Sequence, residues 1–300
     1  MALDCSARGL AGLHDLEPLS GAELDGATGV YVQGFGMEGP SGCIPLSEEA
    51  PPSYGLTALY RETGALLAYA EDHSRCTCVF RTAQTPTLSG PRQTVSGGFN
   101  LEGTAGEAVA LPTLYFEDAA ELSGGLRTCA ERIAARMGAR DRMPPVLFWS
   151  SWYHAYETMD LAYLETVFRT LRDWGFTFFK TDFMLWSIHD SSTVRRHTPG
   201  LTSVELMRRV LRVIRGAIGE DSYLLGCIAP FLPFLGYADG MRIAGDGGAR
   251  WAEPYGPINL LWELPCDNYF NHVFWQNGPD AMLLRDFDTY LKNERKERGT

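Results

Sequence analysis

The chain has 300 residues, 45% of them hydrophobic and 21% charged, which allows one large domain or two ordinary ones with ample material for a core. Its formal net charge is −11, and no basic patch is available to meet phosphates, so nucleic acid is not an expected partner. No run of about 18 apolar residues occurs, and the first residues lack a basic region followed by an apolar one, so neither a membrane span nor a signal peptide is expected.

Residues 1–28 show no clear periodicity. Segments 29–33, 57–61, 66–69, 77–81, 98–101 and 108–116 then read as short strands separated by Gly, Pro and Ser, the pattern of an all-β sandwich over residues 1–118. The acidic turn at 103–110 suits a hairpin leading into the last of these strands. Near residue 117 the character changes. Ala119, Leu122, Leu126, Cys129, Ile133 and Met137 recur at helical spacing behind Asp118 as cap, predicting a linker helix over 119–140.

From 141 to 300 strands and helices alternate. Residues 146–152 read as a buried parallel strand. A helix over 160–174 places Leu161, Leu164, Phe168, Leu171 and Trp174 on one face, and Gly175 ends it. The aromatic run at 178–182, FFKTD, is the next strand. A loop over 184–199, a helix over 203–218 and strands at 223–229, 240–244 and 281–285 follow. Arg208, Arg209, Arg212 and Arg215 read as a solvated helix face. Such alternation implies βα units and a parallel sheet, and in a barrel of such units functional residues stand at strand C-terminal ends.

The strand ends carry the chemistry: Trp149 to Trp152, Lys180 and Asp182, Cys227 with Pro230, Arg242 and Asp246, and Asp280 near the fifth strand. Lys180 and Asp182, at i and i+2, share one side of a strand. Asp246 sits among glycines after the 240–244 strand, close to Arg242. Two carboxylates on different parallel strands, flanked by a lysine and an arginine, suit glycoside hydrolysis. Lys180 would hold Asp182 ionised and Arg242 would bind a sugar hydroxyl. The plainer reading of each residue also stands: a strand-end ion pair for Asp182 and a turn aspartate for Asp246. No phosphate-binding loop or GxSxG elbow is present, and His154, His189 and His197 lack paired metal-ligand spacing. Seven cysteines, Cys5, Cys43, Cys76, Cys78, Cys129, Cys227 and Cys266, are irregularly spaced, as expected of reduced thiols in a cytoplasmic protein.

Four segments occur in the order and rough spacing of motifs found in retaining α-galactosidases. FWSSWY at 148–153 resembles an opening strand of the form Gly-Trp-Cys-Ser-Trp-Tyr. LRDWGFTFFKTDF at 171–183 is similar to a nucleophile strand ending Lys-x-Asp-Phe. LGCIAP at 225–230 with DGMRIAGD at 239–246 is similar to a Gly-Cys strand and an Arg-Ile-x-x-Asp acid/base segment. FWQNGPDAMLLR at 274–285 resembles Trp-x-Asn-Asp-Pro-Asp-x-Leu-Leu-Arg. The chain thus resembles glycoside hydrolase family 36, the melibiase-like type.

That resemblance implies an α/β plus all-β fold, an N-terminal β-sandwich followed by a partial TIM-type (β/α)8 barrel. It implies Asp182 as nucleophile and Asp246 as acid/base, with Trp149, Trp152, Lys180, Cys227 and Arg242 lining the sugar site. The substrate would be an α-galactoside or related oligosaccharide, cleaved by double displacement without metal or organic cofactor. The chain also departs from the family. The helix at 160–174 follows Tyr153 at once, so the second and third βα units are expected to be missing, and no Asp-Asp pair occurs anywhere. About five of eight barrel strands are identifiable, with neither an eighth strand nor a C-terminal β domain expected after Arg285. Asn-Asp-Pro-Asp has become Asn-Gly-Pro-Asp. Unpaired strand edges would need cover from residues 1–28 or from a second copy in a homo-oligomer. The alternative reading is a catalytically inactive relative serving as a carbohydrate-binding or scaffold protein.

Overall fold

A computed structural model describes residues 15–37, 39, 41–46, 49–87, 90–102, 111–142, 148–150, 160–185, 198, 200–247 and 257–280. The fold is mixed α/β with three sheets. The first half of the chain builds two antiparallel sheets. One has the order β1 (Asp15–Leu24), β8 (Gly90–Asn100), β7 (Thr77–Thr87) and β4 (Ser53–Tyr54). The other has the order β3 (Gly42–Pro45), β2 (Gly29–Val32), β5 (Leu56–Tyr60), β6 (Ala65–Ala70) and β9 (Leu114–Ala119).

Strands β1, β3 and β4 were not expected from the sequence pattern. β1 lies at a sheet edge, and its register on β8 shifts between Leu16 and Ser20. Pro18 falls within that irregularity, where a ladder N–H is not needed. A strand held by one neighbour through its backbone leaves little trace in side-chain alternation. The expected hairpin into the last strand is also corrected: β9 pairs with β6 of the other sheet rather than with β8, and 103–110 lies outside the described residues.

The five-stranded antiparallel sheet is covered on both faces. Leu66, Ala68 and Ala70 of β6, with Val30, Val32 and Leu59, share one apolar cluster with Phe80, Val95 and Phe99 of the other antiparallel sheet. The alternate residues Leu67 and Tyr69, with Tyr31, Leu56 and Ala58, join a second cluster. Strands sandwiched this way read as nearly continuous apolar runs, and every residue of β6 is buried. Into the second cluster α1 (Leu122–Met137) sends Leu126, Cys129, Ala130, Ile133 and Met137. Its N-cap is Glu121; Asp118, expected as the cap, instead pairs with Leu66 in β9.

The second half builds a parallel sheet in sequential order: β10 (Phe148–Ser150), β11 (Phe178–Thr181), β12 (Tyr223–Gly226), β13 (Gly240–Arg242) and β14 (Gln276–Gly278). It does not close into a barrel among the described residues. The strand expected at 281–285 lies outside them, and Gln276–Gly278 is the fifth strand, too short and polar to announce itself. The helices are α2 (Leu161–Asp173), α3 (Ser203–Ile218), a single turn α4 (Phe231–Phe234) and α5 (Pro257–Asp267). Asp160 caps α2 by accepting the Tyr163 N–H, and Thr202 with Glu205 forms a capping box on α3. No described helix is long and apolar enough to cross a membrane.

Two helix faces differ from expectation. Leu164, Phe168 and Leu171 of α2 are buried, but Leu161 and Trp174, at its ends, are 37% and 73% exposed. On α3, Arg215 is buried rather than solvated, and its Nη2 lies 2.7 Å from Asp239 Oδ2. Arg208 lies over the Tyr237 ring and donates to the carbonyls of Pro233 and Leu235.

The antiparallel sheets and the parallel sheet meet closely. A Cβ on Gly36 would stand 2.6 Å from the Ala229 carbonyl oxygen, so glycine permits the approach. Beside it Tyr31 and Tyr269 both donate to Gln33 Oε1, and Gln33 Nε2 donates to Asp267 Oδ1 at 3.3 Å. Burial pushes the Asp267 carboxyl up to about 7, with Gln33 and Ser41 opposing and Glu263 adding to the rise. The folded state therefore holds this proton more tightly than the unfolded chain, whose carboxyl titrates near 4 (~3.9). Its contribution to stability is full below pH ~4 and is lost as pH rises toward 7, with a slope of up to about 1.4 kcal/mol per unit. His73 acts oppositely: burial lowers it to about 4, so stability rises with pH between there and ~6.5. The difference between wild type and Asp267→Asn isolates the first effect. In urea unfolding the variant is expected to gain on wild type as pH rises from ~4 to ~7; a pH-independent difference would refute the assignment.

Candidate active site

Parallel strands place their C-terminal ends along one edge. In register, Ser150, Lys180, Leu225, Gly240 and Gln276 form one row across the sheet. The next row runs through Thr181, Gly226, Met241 and Asn277. Phe179, Leu224 and Met241 are fully buried in the cluster containing Phe168 of α2 and Leu211 of α3, which identifies the helix-covered face. Alternation therefore puts Lys180, Asp182, Leu225, Cys227 and Arg242 on the other face. The Cys227 N–H donates to Thr181 O at 2.9 Å and Arg242 pairs with Gly278, so Asp182, Cys227 and Arg242 stand together just beyond the row of Thr181.

The side chains gather in two contacting groups, Lys180 with Asp182 and Cys227 with Arg242 and Asp246. Lys180 Nζ lies 3.0 Å from Asp182 Oδ2, with the two side chains 19% and 8% exposed. Asp182 Oδ1 also accepts the Phe183 N–H at 3.0 Å. Arg242 Nη1 lies 3.8 Å from the Cys227 sulfur. Arg242 Nη2 donates to Ala244 O, Gly245 O and Asp246 Oδ1 at 3.2, 3.1 and 3.1 Å. Its Nε is buried without a partner among the described residues.

Electrostatics fix the charge states of two members. Burial pushes the Cys227 thiol up to about 12, with Asp182 adding to the rise and Lys180 and Arg242 opposing. It is a neutral donor, not a thiolate. For Lys180 burial disfavours the charged form, but the Asp182 carboxylate 3.0 Å away opposes it, and the ammonium is held above its usual range. The ammonium is locked against the buried Asp182 side chain and orients it. Backbone strain also gathers here: Phe183 (φ 56), Ile228 (φ 43) and Asp280 (φ 75) are left-handed without being glycine.

The arrangement brings together Lys180, Asp182, Cys227, Arg242 and Asp246. Trp152 lies outside the described residues, and Trp149 pairs with Phe179 in register while its side chain is not among those described. One acidic residue, Glu263, was missed as a member of the site, and Asp280, expected at a strand end, joins it. Glu263 of α5, whose carboxyl is raised by burial, accepts the Gly245 N–H at 3.2 Å. Asp280 Oδ1 lies 3.2 Å from Arg242 Nη1. Glu263 carries no sequence signal, since its helix sits far along the chain from the loop it touches. Asp280 was expected beside a strand at 281–285, and the structure places it just after Gln276–Gly278 instead. Among the described residues no group of three or more His, Cys, Asp and Glu converges as a metal ion would need.

No protein-family model matches the chain. Among solved structures it is similar to TtGalA, an α-galactosidase from Thermus thermophilus in complex with p-nitrophenyl α-D-galactopyranoside, at TM-score 0.54 and 13% identity over 98% of this chain and 86% of that one. The same enzyme in complex with stachyose matches at TM-score 0.52 and 14% identity, covering 89% of this chain and 82% of that one. At this identity the likeness is one of fold: a mixed α/β chain with several sheets.

Proposed function

We propose that the chain is a retaining glycoside hydrolase of the α-galactosidase type, with an N-terminal β-sandwich and part of a (β/α)8 barrel, acting on terminal α-galactosides. The observation that carries this reading is the placement of the Lys180–Asp182 pair and the Cys227–Arg242–Asp246 group together on the C-terminal edge of a parallel sheet. The shared fold with an α-galactosidase supports it.

In the first step Asp182 attacks the anomeric carbon while Asp246 gives its proton to the departing glycosidic oxygen, leaving a glycosyl ester on Asp182. In the second, Asp246 takes a proton from water, whose oxygen attacks the anomeric carbon from the face the aglycone left, opposite Asp182, and releases the Asp182 carboxylate. Lys180 holds the Asp182 carboxylate in place for attack. The Cys227 thiol and the Arg242 Nε–H, donors in a desolvated wall, would bind sugar hydroxyls.

A second reading, a catalytically inactive relative that binds carbohydrate, draws on Asp246, whose side chain is 74% exposed and ion-paired with Arg242, and on the absent Asp-Asp pair. Release of p-nitrophenol from p-nitrophenyl α-D-galactopyranoside by the full chain separates the two. Hydrolysis with retained anomeric configuration is the expected result. Folded protein that binds galactosides in calorimetry without turning them over would establish the second reading.

A further inference from the structure

A polar cavity of about 430 Å³ opens where β6, β9 and the C-terminal end of α1 meet, and it shares no lining residue with the candidate active site. That volume lies within the ~300–1,000 Å³ range of small-molecule sites. Its walls come from three places in the chain. Glu71 and Asp72 follow β6 directly, Thr113 and Tyr115 stand at the start of β9, and Arg136 belongs to the last turn of α1. Ala70 pairs with Leu114 across the antiparallel strands, so both strand segments arrive at one end of the sheet.

The polar groups in it are held in fixed orientations. Asp72 Oδ2 accepts from Arg136 Nη2 at 2.7 Å and from its Nε at 3.2 Å, while Oδ1 accepts the Ser74 N–H at 2.9 Å and the Ser74 hydroxyl at 2.6 Å. Burial alone would raise the Asp72 carboxyl, but the hydrogen bonds from Ser74 and Arg136 hold it below its usual range. The Tyr115 ring is stacked on the fully buried Tyr69, with centroids 5.1 Å apart and planes 18° from parallel. Arg75, also in the wall, has a buried Nε with no hydrogen-bond partner among the described residues; Glu205 Oε1 is 3.8 Å away, beyond hydrogen-bond reach.

The lining selects a chemistry. Glu71 and Asp72 balance Arg75 and Arg136, so the cavity offers no surplus positive charge to a phosphate or carboxylate. Carboxylates accept and guanidinium groups donate, and a hydroxyl can do both. An aromatic ring packs against the apolar C–H face of a pyranose. We propose that this cavity is a second carbohydrate site, which holds a neutral oligosaccharide against Tyr115 between the Asp72 carboxylate and the Arg75 guanidinium. The site does not depend on the roles assigned to Asp182 and Asp246.

The test is backbone hydrogen exchange of the full chain carrying Asp182→Asn, so that sugar is not consumed, with and without stachyose. Slower exchange is expected in segments 71–75 and 113–117. Thr113→Trp, which fills the cavity, is expected to abolish that slowing, and Arg75→Met to weaken the affinity read from it about tenfold or more. A chain that shows the slowing but no hydrolysis sinks the proposed function and supports this site; hydrolysis without the slowing overturns the site. Slowing by inorganic phosphate in place of stachyose overturns it as well, as does slowing that persists in full in folded Thr113→Trp. Should Thr113→Trp not fold, Arg75→Met, which keeps the aliphatic stem, carries the test, and an unchanged affinity there overturns the proposal.

Discussion

Asp182→Asn is expected to lower kcat for an aryl α-galactoside by a factor on the order of 10⁴ or more, with the fold intact. The amide cannot form the glycosyl ester, so both steps of the double displacement are lost, whereas removal of an auxiliary hydrogen bond costs far less. The variant keeps the shape of the carboxylate and its acceptor for the Phe183 N–H, so the backbone turn after β11 has no cause to change. It does lose the charge facing Lys180, 3.0 Å away. A modest fall in stability is therefore expected beside the catalytic loss, and circular dichroism with urea unfolding separates the two. Residual activity within tenfold of wild type would remove Asp182 from the nucleophile role.

Asp239→Ala is expected to destabilise the protein by about 3–5 kcal/mol, the largest stability effect among the polar groups considered. The side chain is fully buried at the start of β13, 2.7 Å from both Arg215 Nη2 and Arg140 Nε. Its Oδ2 also accepts the Leu224 N–H at 2.9 Å. Truncation leaves Arg215, 5% exposed, as a buried cation without its counter-charge and orphans a backbone donor in β12. Asp239→Asn, which keeps acceptors but not the charge, should fall between. Equilibrium unfolding in urea reads both, and a loss below about 1 kcal/mol for the alanine variant would mean that Arg140 and Arg215 find water instead. The site residues Asp182 and Arg242 stand at the opposite ends of their strands, so the effect should appear in stability before it appears in turnover.

Much of the local structure was legible because local structure has a period. The apolar repeats of α1, α2 and α3, the Gly that ends two of them, and the aromatic run of β11 each carry their information within a dozen residues. Strands β1, β3, β4 and β14 were not legible, since short or edge strands are held by backbone pairing that leaves weak side-chain patterns. Arg215 shows the same limit on a helix. Four arginines along α3 look alike in sequence, and only the position of Asp239, 24 residues on, singles one out for burial.

The site divides in the same way. The sequence by itself determined that Lys180 and Asp182 share a strand side, and that Cys227, Arg242 and Asp246 follow two later strands, because period-two alternation and motif order are properties of the chain alone. Tertiary structure decided what those residues touch. It buried Cys227 beside Asp182, and that burial keeps its thiol a neutral donor against the pull of Lys180 and Arg242. It also set Asp280 and Glu263 around the Asp246 loop. Charge states and proton positions depend on distances of about 3–4 Å between groups far apart in the chain, and such distances arise only when the sheets and helices pack.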